Sequence, residues 1–388
     1  MKPDDPGAAA AAETPGARGA AGPADAARAA GACAACLRRT ALVAALSGYL
    51  DVEWRRRDAT SRVLALPDEE LLAIGTAAAR ARYERFDAAV PRAIADRAGV
   101  ALVCRCSPGY PARVRALPDP PAVLHVLGDP AALDVAEGVA IVGARRASSY
   151  GLEVSRALGR GLSRAGVPVV SGLALGIDAA AHRGALEGSA APVAVLAAAP
   201  EVAYPASNSN LHAAVAARGA VVSELPPGSR AFRWCFVARN RIVAALAQVV
   251  VIVEAAERSG SLTTADFAAD LGCTVAAVPG RVTNRTAAGT NSLIQSGAAL
   301  VRDTGDVLDL LAETTGRPRR HAPARQEPPD LAPELRSLLA AVEEGRGALG
   351  ELASDGASAR AVLAGLGELE FRGLIRRTFG GRYEPVAR

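Results

Sequence analysis

Several short segments of this 388-residue sequence bring glycine, hydroxyl side chains and arginine within a few positions of one another. Gly143-Ala144-Arg145-Arg146 is followed by Ser148, Ser149 and Gly151, and Ser171-Gly172 leads through Gly176 to Asp178. Ser223-Glu224 is followed by Arg239-Asn240-Arg241, and Glu254 precedes Arg258-Ser259-Gly260-Ser261-Leu262-Thr263-Thr264. Pro279-Gly280-Arg281 comes shortly before Gly289-Thr290-Asn291. Glycine and serine at a turn let backbone N–H groups approach an oxyanion, and a helix starting there adds partial positive charge. Arginine grips phosphate through paired hydrogen bonds. The carboxamide of Asn240 either reads a base edge or holds its own loop. Together these residue types describe a site for a polyanion.

The same segments do not describe a catalyst. Ser259 and Ser261 have no Ser-His-Asp context, and Glu254 has no activated nucleophile beside it. Asp178 stands just before an Ala-rich helical stretch and reads as a helix cap, with His182 one turn later as a structural residue. Gly143-Ala144-Arg145 puts a large cation where a dinucleotide-binding turn requires its second glycine, and there is no Walker A sequence. We therefore expect no NAD(P), no ATP hydrolysis, no cofactor and no enzyme.

What must position these loops is a sheet. Apolar runs at 139–143, 167–171, 193–197, 220–223, 249–254 and 274–278 are hydrophobic at successive positions, as strands buried on both faces are. Helical patterns separate them. The fold class is thus α/β, an extended Rossmann-like, doubly wound and mostly parallel sheet over 98–312. In such a sheet ligands bind beyond the carboxyl ends of the strands, where the segments above all fall.

Around this unit, residues 1–35 are an Ala/Gly/Pro tract expected to be disordered. Residues 36–96 read as a helical N-terminal domain, with Leu37, Leu42, Val43, Leu46 and Leu50 recurring at three- and four-residue steps. There Asp68 is expected to cap a helix after Pro67. Residues 313–330 form a Pro-rich linker, and 331–388 have the helices, short strands and Gly380-Gly381 turn of a winged helix, with Arg376, Arg377 and Arg382 on or beside the wing.

The net charge of +4 is modest, and Lys2 is the single lysine, so arginine richness reflects coding bias and only its placement counts. No apolar run approaches the roughly 18 residues of a membrane span. With no basic lead into an apolar stretch at the start, the expectation is a cytoplasmic protein without membrane contact. Of six cysteines, Cys33 and Cys36 have zinc-ligand spacing, and Cys104 and Cys106 offer a second pair. The first pair borders the low-complexity tract and the second reads as strand residues on one face, so incidental thiols and no metal are expected.

The segments 139–151 (VAIVGARRASSYG), 171–186 (SGLALGIDAAAHRGAL), 239–246 (RNRIVAAL), 251–265 (VIVEAAERSGSLTTA), 277–280 (AVPG) and 289–298 (GTNSLIQSGA) resemble, in order and spacing, the DprA/Smf family. Ala144 stands where that family usually has serine. The resemblance implies a Rossmann domain that dimerises, binds single-stranded DNA in a positive pocket and helps load the RecA recombinase during natural transformation. Carried over by motif, Arg145, Arg239, Asn240, Arg241, Ser259, Gly260 and Ser261 are candidate DNA contacts, with Ser171, Gly172 and Thr263 of the same loops. Gly143, Gly176 and Asp178 are expected to shape the neighbouring turns. Two other readings compete: a nucleotide-processing enzyme resembling the LOG-type phosphoribohydrolases, whose P-G-G-x-G-T-x-x-E stretch this chain lacks, and a protein-docking platform.

Overall fold

A computed structural model of the chain describes residues 31–53, 57–318, 320, 331–353, 358–378 and 380–386. The disorder expected for 1–35 falls mostly outside the described residues, as does most of the linker expected at 313–330.

The N-terminal region is helical: α1 (Ala34–Ala45), α2 (Ser47–Glu53), α3 (Arg57–Ala65), α4 (Asp68–Ile74), α5 (Ala77–Glu84) and α6 (Ala89–Arg97). Leu37, Leu42, Leu46 and Leu50 are all buried, but in three places: Leu37 beside Cys36 and Val123, Leu42 and Leu46 against Leu71, and Leu50 with Leu64 and Trp234. Asp68 is not a cap. Pro67 occupies that position, and the Asp68 carboxylate accepts hydrogen bonds from Arg39 (2.5 Å) and from the Tyr83 hydroxyl (2.7 Å), clamping α1, α4 and α5 together.

The central sheet has nine strands: β1 (Val100–Cys104), β2 (Val123–Gly128), β3 (Val139–Val142), β4 (Val169–Ser171), β5 (Val193–Val195), β6 (Ala220–Ser223), β7 (Val249–Ile252), β8 (Thr274–Ala277) and β9 (Ala299–Leu300). Their order is β1-β2-β6-β5-β4-β3-β7-β8-β9. From β6 to β9 all neighbours are parallel, and β2 joins β6, and β1 joins β2, antiparallel. All six anticipated strands are present. The antiparallel edge had no signal of that kind, because β1 and β2 lie outside the repeating strand–helix alternation.

The helices among these strands are α7 (Ala112–Arg115), α8 (Ser149–Arg164), α9 (Ile177–Ala185), α10 (Ser209–Arg218), α11 (Arg233–Ala245), α12 (Leu262–Asp270), α13 (Ala288–Gln295) and α14 (Thr304–Thr315). Val139, Ile141, Val249 and Val251 pack on one face against Val154, Leu158 and Leu162 of α8 and Val307, Leu308 and Leu311 of α14. Ala140, Val142, Val250 and Ile252 pack on the other against Ile242 and Ala245 of α11 and Ala265 and Ala268 of α12. This two-sided burial is why the strands are apolar at every position. The chain runs outward from β3 through β4, β5 and β6, then returns to place β7 on the other flank of β3. That reversal splits the loops after β3 and β7 apart and opens a crevice at their carboxyl ends.

Residues 331–386 contain α15 (Pro333–Glu343), α16 (Leu349–Leu352), α17 (Ala359–Phe371) and the antiparallel pair β10 (Ile375–Arg377) and β11 (Tyr383–Pro385). They bury a core of their own, including Leu339, Val342, Leu366, Leu369 and Tyr383. Two of the three arginines expected near the wing are engaged by acids: Arg376 pairs with Glu153 of α8 and with Glu384, and Arg382 pairs with Glu351. The Arg376–Glu153 pair fixes this hairpin against the first turn of α8. Among the described residues, no helix is long and apolar enough to cross a membrane.

Candidate functional site

At the crevice between the ends of β3, β4 and β7 lies a cleft of about 670 Å³. Gly143, Arg145, Gly172, Asp178, Arg239, Asn240, Ser259, Gly260, Ser261 and Thr263 all line it. They come from loops far apart in the sequence, and the sheet's reversal is what gathers them.

The turns that present these residues require glycine at two places. Gly176 has a φ of 79°, and a Cβ there would lie 2.2 Å from the Ala144 carbonyl oxygen. A Cβ on Gly172 would lie 2.1 Å from Nη1 of Arg239. The loops after β3 and β4 therefore pack directly on one another, and the arginine seats on bare backbone.

Arg239 is the keystone of the cleft floor. It is only 9% exposed. Its Nη1 donates to the carbonyl oxygens of Gly172 and Val195, both at 2.7 Å, and Nη2 lies 4.0 Å from a carboxylate oxygen of Asp178. Burial lowers the pKa of Arg239 and raises that of Asp178, and each group's charge pulls the other back toward its ionised form. Asp178 is not the helix cap, since Gly176 holds that position. It sits in the first turn of α9 and balances the buried guanidinium.

Asn240 is used to hold a loop. It accepts from Nε of Arg239 (3.0 Å) and donates to the Thr263 hydroxyl (2.7 Å) and the Gly260 carbonyl (3.3 Å). The Thr263 hydroxyl donates to Gly260 at 2.7 Å, and the hydroxyls of Ser259 and Ser261 are 2.8 Å apart. The 259–263 loop is thereby tied to α11 with its serines at the cleft and Gly260 exposed.

Arg145 is exposed, and its guanidinium stands 5.2 Å from the centre of the Phe236 ring. Phe236 in turn meets Tyr204, with ring centres 5.4 Å apart. Tyr204 is 46% exposed, so this aromatic pair offers a ring face at the cleft wall. Sequence reasoning passed over Phe236, Tyr204 and the rim residue Arg233. The signal was available on α11: positions 233, 236, 237, 240 and 243 follow the helical repeat and share one face, which is the face at the cleft.

Three expected residues lie elsewhere. Ser171 is fully buried, and its hydroxyl donates 2.6 Å to the Ile141 carbonyl, so its side chain joins β4 to β3 and not to a ligand. Arg241 is also buried, donating to Asp119 (2.9 Å), to Glu224 (2.7 Å) and to the Ala238 carbonyl (2.8 Å). Its two carboxylate partners outweigh the cost of burial and raise its pKa. It is a scaffold residue and leaves the candidate set. Gly176 shapes the cleft from beneath without lining it.

Glu254, at the end of β7, is 3% exposed and fully engaged. Its carboxylate accepts from the backbone N–H (2.8 Å) and the hydroxyl of Ser148, while its carbonyl accepts from Ala144 N–H at 2.7 Å. Ser148 is the N-cap of α8, so Glu254 fixes the start of that helix and the turn carrying Arg145.

Four of the six cysteines depart from the expectation of incidental thiols. Cys33, Cys36, Cys104 and Cys106 converge, with all four sulfur atoms within 4.8 Å of one another. Cys104 ends β1 and Cys106 lies in the turn beyond it, so the pair is not a strand pair on one face.

Comparison with known proteins bears on the same region. The family model for DNA recombination-mediator protein A matches residues 101–312. A DNA processing protein DprA of Mycobacterium tuberculosis is 45% identical over 205 residues, which is 52% of each chain, so this chain spans about half the length of that relative. DNA processing protein DprA of Bacillus subtilis is 34% identical over 274 residues, covering 69% of this chain and 92% of that protein. The X-ray structure of DNA processing protein A from Streptococcus pneumoniae superposes with a TM-score of 0.59 at 30% identity, covering 71% of this chain and 95% of that one.

Proposed function

The chain belongs to the DprA/Smf family of DNA recombination mediators, and on that premise we propose that it binds single-stranded DNA in the cleft at the ends of β3, β4 and β7. The observation that carries this reading is the convergence there of Arg145, Arg239 and the 259–263 loop with the exposed Tyr204 and the half-buried Phe236. Arginine and glycine-rich turns suit phosphates, whereas Tyr204 and Phe236 suit an unstacked base. Duplex DNA buries its base faces, so a wall that pairs a guanidinium with a ring favours the single strand. Arg145 and Ser259–Thr263 are the proposed phosphate contacts, Phe236 and Tyr204 the proposed stacking surface, and Arg239 with Asp178 and Asn240 the frame that holds them.

The protein acts in this reading as a mediator without chemistry of its own, in the cytoplasm, as a homodimer that hands the strand to a RecA recombinase. Its working unit is the sheet domain at 98–312, flanked by the helical 36–96 and the winged-helix tail 331–388. The buried carboxylates at the strand ends support the absence of catalysis, because Glu254 is committed to Ser148 and Asp178 to Arg239.

Equilibrium binding of the full chain to labelled oligo-dT and to matched duplex across a salt series tests the proposal. Salt-sensitive preference for the single strand is expected. Equal or negligible binding to both overturns it, and free base released from nucleoside monophosphates at an enzyme-dependent rate replaces it with the hydrolase reading.

A further inference from the structure

We propose that Cys33, Cys36, Cys104 and Cys106 form a structural zinc site that staples the N-terminal helices to the antiparallel edge of the sheet. Four thiolates around one zinc ion at about 2.3 Å place their sulfurs at the corners of a tetrahedron, about 3.8 Å apart. The Cys36 and Cys106 sulfurs are 3.7 Å apart, and none of the pairs exceeds 4.8 Å. A disulfide needs about 2.0 Å between sulfurs, and all six cysteines are free. A multi-iron cluster, with several metal centres among its ligands, holds them further apart. The spacing suits a single ion.

The local backbone is arranged for ligation. Cys33 is at the N-cap position of α1, without a side-chain hydrogen bond to the helix, and Cys36 follows within the first turn. At the other strand end, Ser107 N–H donates 2.8 Å to the Cys104 carbonyl, closing a turn. That turn aims Cys104 and Cys106 at a common point, which two residues of an extended strand, nearly 7 Å apart by the rise of about 3.4 Å per residue, do less well. Two sulfurs are buried, one is half-buried and one is exposed. A tetrathiolate site carries a formal charge of −2, and Arg105 stands between the last two ligands in the chain.

The location explains what the ion does. Around the sulfurs, Ala32, Leu37, Ala122 and Val123 form a small apolar cluster, much poorer than the two cores on either face of the sheet. Cys36 and Cys106 are 70 residues apart, and a cross-link there closes a long loop holding α1 through α6. With four protein ligands the coordination shell is closed, so the site is structural and offers no open position to a substrate.

The test uses the full chain, purified under reducing conditions and exclusion of oxygen. Elemental analysis should find one zinc ion per chain. After stripping, cobalt(II) should restore the intense sulfur-to-metal absorption and the visible bands of a tetrahedral thiolate site, and zinc should bleach them. Cys106→Ser, which changes the exposed ligand and disturbs packing least, should lose most of the zinc, and Cys36→Ser should do the same. Cys235→Ala and Cys273→Ala, which lie in the core away from the cluster, should retain it. A stripped wild-type chain that takes up neither cobalt nor zinc overturns the proposal. So does zinc that survives both ligand substitutions, bound iron in its place, or disulfides mapped among these four cysteines in protein kept reduced.

Discussion

Arg239 and Arg241 stand two positions apart on α11, and they enter two different buried environments. Arg239 reaches the cleft floor, where it meets two carbonyl oxygens at 2.7 Å and a carboxylate at 4.0 Å. Arg241 reaches the opposite side, where Asp119 and Glu224 close around it and leave it 1% exposed. The α-helix turns about 100° per residue, so side chains two positions apart point about 200° away from each other. The Arg239 region keeps one wall open to solvent and spends polar groups on shaping it. The Arg241 region is closed, with charge neutralised on all sides. A motif of two identical residues thus holds one that frames the cleft and one that holds the scaffold.

The comparison breaks most readily at Arg241. Arg241→Ala leaves Asp119 and Glu224 buried without their cation and is expected to cost about 3–5 kcal/mol of stability. Urea denaturation measures this, and the fraction that remains folded should bind oligo-dT as tightly as before. A loss of affinity without a loss of stability would reverse the roles of the two arginines.

Acid is the next-largest load. His182 in α9 and His125 in β2 are buried, and burial lowers each pKa from 6.5 to about 4. Between those values the unfolded chain binds more protons than the folded one. Stability is therefore fully present above about pH 6.5 and is lost as pH falls through about 4, by up to about 3 kcal/mol per histidine. Unfolding midpoints measured from pH 7 to pH 4 should decline, and His182→Leu should flatten the decline. A flat profile for the native chain would mean that neither histidine is held neutral by burial.

The open region is sharpened by changes that leave the closed one untouched. Phe236→Ala should weaken oligo-dT binding by about 1–3 kcal/mol, the worth of one base stacked on a ring, with little change in salt slope. Affinity that holds while the slope falls would mean that the ring serves only to orient Arg145. Arg145→Ala is the smallest change. Stability should stay within about 0.5 kcal/mol, and the slope of log K against log salt should fall by about 0.7, the value for one phosphate contact on a single strand. An unchanged slope removes Arg145 from the set of phosphate contacts.

The legibility of the molecule follows from the range of the physics involved. Strands β3 to β8 were plain in the sequence because burial on both faces imposes an uninterrupted apolar run, a local signature. So was the helical character of 36–50, where Leu37, Leu42, Leu46 and Leu50 recur at close to helical steps and are all buried. Within the cleft, most lining residues were legible as glycine, serine and arginine at strand ends. Phe236 stands at no strand end, and it joins the cleft through the helix face it shares with Asn240. Ser171 and Arg241 were misassigned because residue type alone does not tell a buried hydroxyl or guanidinium from an exposed one.

The sequence by itself determined the α/β class, the parallel strands and the side of the sheet on which small and cationic residues gather, since each depends on periodicity or on the residues that immediately follow a strand. Only the tertiary structure decided which arginine of the pair at 239 and 241 faces the cleft, that Glu254 holds the start of α8, and that two cysteine pairs converge. Cys36 and Cys106 are 70 residues apart. Their meeting depends on α1 packing across the antiparallel edge formed by β1 and β2. No local pattern encodes that packing, because the contacts that create it are made by residues distant in the chain and near only once the sheet has closed.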